Sequence, residues 1–160
     1  MTATYENIAT TTLGSDQNSV TFSSISASFT DLVIVCSVSA ASGSGTVGLQ
    51  FNSDTGSNYS GTRLYGDGST AASDRGTNNT LTQIGFVTTA ICTNIFQVMN
   101  YANTTTNKTA LGRGNASDSA VLANVGLWRS TAAINSVTIL RPSGNFLSGS
   151  TFTLYGIKAE

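Results

Sequence analysis

The chain has 160 residues, of which 39% are hydrophobic and only 9% are charged, and its net charge is −1. A chain of this length fits one domain that buries about two thirds of the surface it exposes on unfolding. The few charges are scattered singly, which excludes affinity based on neutralising phosphates, so we expect neither a nucleic-acid nor a membrane partner. Histidine is absent, which excludes a Cys/His zinc site and a Cys/His nucleophile pair.

The N-terminal residues do not have the pattern of a signal peptide. No apolar run in the sequence approaches the ~20 residues of a transmembrane helix. We therefore expect a protein made and kept soluble in the cytoplasm. Thr, Ser, Asn and Gly replace the missing charges, and these residues favour strands and turns over helix interiors. Regularly spaced apolar residues argue against a disordered chain.

Strand patterns begin near the N-terminus and strengthen toward residue 40. Tyr5 to Thr10 predicts an edge strand, and Asn18 to Phe22 alternates polar and apolar residues at period two. Asp31 to Val38 opens with a continuous apolar run, which is typical of a central strand covered on both faces. Its β-branched residues disfavour the alternative, a helix starting there. Thr46 to Phe51 then predicts the return strand.

The middle of the chain predicts one strand and one long loop. Tyr59 to Tyr65 resumes a strand pattern, with Gly61 as a possible bulge. Gly66 to Asn79 is the longest stretch without apolar anchors, and loops of that length are usually functional or mobile. We expect the part from Asp67 to Asn79 to be mobile in the free protein and to become fixed by a partner.

The stretch Gly126 to Leu140, GLWRSTAAINSVTIL, holds the only tryptophan and predicts a hairpin around which the chain is organised. Ala120 to Ser130 is largely apolar on both faces, which predicts an inner strand with Trp128 in the core. Thr131 to Ala133 predicts the reversal. Pro142 ends the returning strand, because proline has no amide hydrogen to donate.

The whole chain, residues 1–160, is predicted to be a single all-β domain without significant helix. About ten short strands between Gly, Ser and Asn turns are typical of an antiparallel β-sandwich of jelly-roll type, or less commonly of a barrel. The remaining predicted strands are Gln83 to Ile91 paired with Asn94 to Tyr101, then Thr109 to Arg113, and Thr151 to Lys158.

Cys36 and Cys92 lie within apolar strand-like runs, far apart in the sequence. Two buried thiols that act as small apolar residues are the favoured interpretation, since disulfides are rare in the cytoplasm. A bridge between neighbouring strands is the alternative.

The acidic residues lie mostly in predicted turns or at strand starts, where Asp ordinarily bonds the backbone. A glycosidase would need two carboxyl groups at a defined separation, for which Asp54, Asp67 and Asp74 are the candidates. Asp54 with Asn58, or Asp67 with Asp74, offers oxygen ligands for calcium, although the spacing matches no EF-hand. We predict no catalytic residue, metal or cofactor. The acids are Glu6, Asp16, Asp31, Asp54, Asp67, Asp74, Asp118 and Glu160.

Aromatic residues offer either a sugar-stacking platform or a protein interface, although each alone is more ordinary as a packing residue. The aromatic candidates are Tyr5, Tyr59, Tyr65, Tyr101, Trp128 and Tyr155. Arg129 beside Trp128 forms the most interface-like pair, because these residue types are enriched among binding anchors. The residues predicted to form a binding or interface surface are Arg129, Tyr59, Tyr65, Arg63, Asp67 and Arg75.

Four segments together resemble small virion structural proteins of tailed bacteriophages, including cyanophages, and a weaker likeness starts at Tyr5. The segments are FNSDTGSNYSGTRLYGDG from Phe51, NYANTTTNKT from Asn100, GLWRSTAAINSVTI from Gly126 and GNFLSGSTFTLYGIKA from Gly144. The resemblance implies a β-sandwich displayed on the particle, usually as a symmetric oligomer. It also implies a role in capsid decoration (cement) or as a tail-fibre module.

Because the chain begins with a methionine and has neither a fibrous repeat nor a coiled-coil heptad, we expect the decoration role rather than the fibre. The expected protein is a homo-oligomer, with a trimer favoured, that is assembled in the host cytoplasm and binds the major capsid protein or another virion protein. A receptor-binding or carbohydrate-binding module is the alternative from a second class, with a glycan receptor as its partner. A hydrolase using Asp54, Asp67 or Asp74 is the third.

Overall fold

The computed structural model describes residues 4–116 and 119–158, which contain twelve β-strands and no helix. Within these ranges there is accordingly no helix that is long and apolar enough to cross a membrane. The strands are β1 (Tyr5–Thr12), β2 (Ser19–Phe22), β3 (Asp31–Val38), β4 (Gly45–Phe51), β5 (Tyr59–Gly66), β6 (Ala71–Asn79), β7 (Thr82–Val87), β8 (Cys92–Met99), β9 (Lys108–Ala116), β10 (Ala120–Trp128), β11 (Val137–Leu140) and β12 (Thr151–Ile157).

The strands form two antiparallel sheets that enclose one apolar core, which confirms the predicted β-sandwich. The larger sheet has the order β1-β12-β3-β8-β9-β10-β5-β6, and the smaller has the order β2-β11-β4-β7. The jelly-roll topology is not confirmed, since a jelly roll is built from eight strands in two Greek keys. Alternate residues of each strand enter the core, as in Leu32, Ile34 and Cys36 on β3.

The predicted hairpin at residues 126–140 is wrong, because its two strands belong to different sheets. β10 pairs with β9 and β5, whereas β11 pairs with β2 and β4. The connecting segment crosses the end of the sandwich. There the buried Lys108 donates from Nζ to the carbonyl of Thr131, at 3.1 Å, and Ile134 donates to the carbonyl of Tyr101.

Two other predicted neighbours are separated in the same way. β3 lies in the larger sheet and β4 in the smaller, while β7 and β8 are also divided between the sheets. Strand patterns locate the apolar face of a segment, but a sandwich connection and a hairpin connection use the same turn residues. The pairing partner is therefore decided by the tertiary fold.

The predicted loop at residues 66–79 is wrong as well, because most of it forms the edge strand β6. This strand pairs with β5 from Gly66↔Ala71 to Tyr59↔Asn79, and most of its side chains are exposed. An edge strand with little burial needs no apolar anchors, so the absence of such residues does not distinguish it from a loop. Whether the segment is mobile in solution stays a prediction.

Several local predictions are confirmed. β1 is an edge strand of the larger sheet, and the pairing of β5 with β6 shifts register between Tyr59 and Gly61, where the bulge was expected. Trp128 is 3% exposed and lies on an inner strand. Cys36 is a buried free thiol, so it forms no bridge to Cys92. Burial raises the pKa of this thiol.

An aromatic cluster joins the two sheets at one end of the sandwich. The ring of Tyr59 on β5 stacks on that of Trp128 on β10, with 6.3 Å between centroids, and both contact Phe51 on β4. The Tyr59 hydroxyl accepts a bond from the Phe51 amide at 3.0 Å and donates to the Asp54 carbonyl, also at 3.0 Å. Trp128 Nε1 donates to Asp54 Oδ2 at 2.7 Å.

The Asp54 carboxylate is thus a structural group that fixes the loop between β4 and β5. It also accepts bonds from Asn58 Nδ2 and from the amide of Gly56. The hydrogen bond from Trp128 contributes most to lowering the pKa of Asp54, followed by that from Asn58. Because these bonds favour the ionised form, the loop is held most firmly where Asp54 is charged.

Trp128→Phe is expected to lower the free energy of unfolding by about 2 kcal/mol at neutral pH, since a hydrogen bond to a charged group is lost. The depressed pKa of Asp54 supplies stability above its unfolded value, and this stability is lost as pH falls through the folded value. The difference between the variant and wild type should therefore shrink in acid. Urea unfolding at neutral and at acid pH, repeated in an Asp54→Ala background, measures the coupling between Trp128 and Asp54. A difference between variant and wild type that does not change with pH would contradict the predicted role of the charged carboxylate.

Candidate binding surfaces

The six predicted interface residues lie in different parts of the molecule. Tyr59 is fully buried in the aromatic cluster, so its prediction as a binding residue is wrong. Arg129 is exposed, and its Nη2 donates to the carbonyl of Ser57 at 2.7 Å and to Asn78 Oδ1 at 3.2 Å. Arg75 is exposed on the edge strand β6.

The other three predicted residues converge at the opposite end of β5. Arg63 pairs with Asp74 across β5 and β6, with 2.9 Å from Nε to Oδ1, and its guanidinium lies 5.5 Å from the centre of the Phe86 ring. Tyr65 and Asp67 join Phe86 in lining a cleft of about 360 Å³, which we call the end cleft. The rest of its wall is made mainly of small residues from β4, β9 and β10 and the turns beside them.

The carboxylates of this region are held in their charged forms. Asp67 Oδ1 accepts bonds from the amides of Thr70 and Ser69, and the former contributes most to lowering the pKa of Asp67. The hydrogen bond from Arg63 lowers the pKa of Asp74. A glycosidase acid needs the opposite shift, toward a raised pKa.

The pairs considered for calcium are engaged otherwise. Asn58 donates to Asp54, and Asp74 is paired with Arg63. Across the described ranges, no three His, Cys, Asp or Glu residues are grouped so as to hold a metal ion. Asp118 and Glu160 lie outside those ranges.

Asn94, which no sequence motif marks, positions the Phe86 wall of the end cleft. It points inward from β8 and is fully buried, donating from Nδ2 to the Phe86 carbonyl at 2.8 Å and accepting the Phe86 amide at 3.1 Å. The side chain thus pairs with β7 of the other sheet as a strand backbone would. The space for it depends on Gly114, where a Cβ would lie 2.3 Å from Asn94 Oδ1.

A second surface is the side of the larger sheet that points away from the core, which we call the outer face. Several of its strands place apolar residues where polar residues usually face water, and all four outward positions of β10, from Val121 to Leu127, are apolar. Three of them are strongly exposed: Val121 is 65% exposed, Leu64 60% and Val125 49%. The other large apolar residues of this face include Tyr5, Val33, Val35, Ile95, Met99 and Leu111.

Charged side chains are scarce on the outer face. Among the described residues of its paired strands these are Arg113 on β9, Arg75 on the edge strand, and Asp31 at the start of β3. Asp31 accepts bonds from Gln97 Nε2 and from the amide of Asn100. The outer face is therefore a wide, weakly charged surface on which apolar side chains alternate with threonine and other uncharged polar residues, and exposed apolar patches on soluble proteins mark interaction sites.

Asn94→Ala is expected to lower the free energy of unfolding by about 2–4 kcal/mol, because it leaves the amide and the carbonyl of Phe86 without their partner. The matched control is Asn115→Ala, which removes an exposed bond to the Thr93 amide and should cost well under half as much. Urea unfolding of both variants provides the comparison. Equal losses would contradict the bridging role of Asn94.

No family model matches this sequence, and no curated relative matches it. Among solved structures, it is similar to part of an exo-inulinase from Aspergillus awamori, at 13% identity and a TM-score of 0.49, over 96% of this chain and 29% of that one. It is also similar to an alginate lyase bound to an alginate tetrasaccharide, at 10% identity and a TM-score of 0.34, over 98% of this chain and 74% of that one. This chain thus spans less than a third of the inulinase. Likeness at this level carries no argument about function.

Proposed function

We propose that this chain is a structural protein of tailed bacteriophage particles, and specifically a capsid decoration (cement) protein that stabilises the head by binding across capsomers. The observation that carries the proposal is the outer face, where Leu64, Val121 and Val125 stand exposed on an almost uncharged sheet. Exposed apolar surface of this kind is unfavourable in water, and it leaves the water when the chain joins an assembly. The resemblance of four sequence segments to virion proteins supports the same role.

The partners in this proposal are further copies of the chain and the major capsid protein or another virion protein. Assembly takes place in the host cytoplasm, and the mature location is the virion. The trimer favoured by the resemblance stays a prediction. With only 9% charged residues, the chain must draw its affinity from apolar and backbone contacts.

Purified protein added to phage particles that lack it is expected to rebind and to raise the temperature at which the heads open. Binding should change little between low and high salt, because screening acts on charges that the chain largely lacks. Sedimentation of labelled protein with the particles measures the binding. Neither rebinding nor a gain in particle stability would reject the decoration role.

The end cleft favours a second candidate, a receptor-binding module of a tail fibre that takes a carbohydrate. Tyr65 and Phe86 provide aromatic walls, and Asp67 adds a carboxylate at the cleft. Aromatic faces with a few polar groups suit a sugar ring. Tyr59 and Trp128, which are buried, take no part in this version.

If the end cleft binds a host-envelope glycan, Tyr65→Ala should weaken binding about tenfold, the loss expected for one stacking contact. Tyr155→Ala is the matched control, because Tyr155 is also half-buried but lies on the outer face. Titration calorimetry with a panel of host glycans measures both variants. Glycan binding that is absent, or that falls equally in both, would retire this candidate.

A further inference from the structure

We propose that the outer face packs against the outer face of a second copy of this chain, about a two-fold axis that passes near Gln97. This inference rests on the proposed function, because it names the partner that covers the assembly surface. It proposes a two-fold dimer in place of the trimer that the resemblance favours. The particle would then be contacted by the ends and edges of the sandwich.

The area of the outer face matches what a stable dimer needs. Eight strands spaced ~4.8 Å apart span ~34 Å, and four rows of outward side chains span ~20 Å along the strands. The face therefore offers ~700 Å² per copy, which lies within the range that a standard stable interface buries on each partner. One broad continuous patch also fits a two-fold contact, in which the same surface serves both copies.

The chemistry of the outer face is that of an interface core. Val121, Val125 and Leu64 project from β10 and β5, and Val33, Ile95 and Leu111 add apolar side chains beside them on β3, β8 and β9. Sheets packed face to face bury their facing side chains at ~10 Å separation.

The charges of the outer face are complementary under a two-fold rotation. Arg113 on β9 and Asp31 on β3 flank β8 from opposite sides. In the strand registers, Arg113 is opposite Ile95, and Gln97 is opposite Val33, two residues after Asp31 on β3. Gln97 thus lies midway between the two charges. A two-fold axis near Gln97 brings Arg113 of each copy toward Asp31 of the other, so neither charge is buried alone.

The first experiment compares Val121→Lys/Val125→Lys with Ile91→Lys by analytical ultracentrifugation. Ile91 is the matched control, because it is 68% exposed but lies between β7 and β8, outside the paired strands of the outer face. Wild type and the control should sediment as dimers and the double variant as a monomer. Near-ultraviolet circular dichroism of Trp128 checks that each variant keeps its fold.

The second experiment tests the axis by cross-linking Gln97→Cys with a short bismaleimide, whose length spans the ~10 Å between facing sheets, with Ile91→Cys and wild type as controls. A residue beside a two-fold axis meets its own copy, so Gln97→Cys should give covalent dimers several-fold more than either control. A monomeric wild type, a dimeric double variant or no preferential cross-linking would each overturn the proposal. Particle rebinding is scored separately, so a monomer that still stabilises heads would reject the dimer and leave the decoration role standing.

Discussion

The two sheets are tied together by polar side chains that act where backbone pairing cannot reach. At one end, the Tyr59 hydroxyl bonds the amide of Phe51 on the smaller sheet, while its ring stacks on Trp128 of the larger. At the other end, Asn94 of the larger sheet pairs with both backbone groups of Phe86. Apolar burial is non-directional, whereas these bonds have defined geometry. They therefore fix how the sheets are aligned and where the end cleft opens.

The inner and outer faces of the larger sheet differ in what covers them. The smaller sheet covers the inner face, so residues such as Phe96 and Leu154 are fully buried. The outer face is also rich in apolar side chains, but in the described part of the chain no strand lies over it. An antiparallel sheet that is solvated on one side ordinarily alternates apolar and polar residues. The departure from that pattern on β10, where Val121 and Val125 are exposed, is the observation on which the proposed partner rests.

Local sequence patterns predicted the strands well and their partners poorly. Period-two alternation located β2, the apolar run at Ala120 to Ser130 located β10, and Gly61 marked a real bulge. Pairing depends on contacts between residues distant in sequence, so the split of β10 and β11 between two sheets was missed. Asn94 resembles any polar strand residue. Its role appears only when β7 of the other sheet is in place beside it.

Candidate binding residues were also chosen by chemical type, and type does not determine exposure. Tyr59 and Trp128 were plausible because aromatic residues anchor interfaces, but their size also suits them to the core. The exposed apolar residues are mainly aliphatic, and the sequence alone cannot say which face of β10 is covered. The low charge content of the chain is visible on the outer face. Soluble domains carry about 25% charged residues, largely on surfaces of this kind, whereas the outer face carries valine, leucine and threonine in their place.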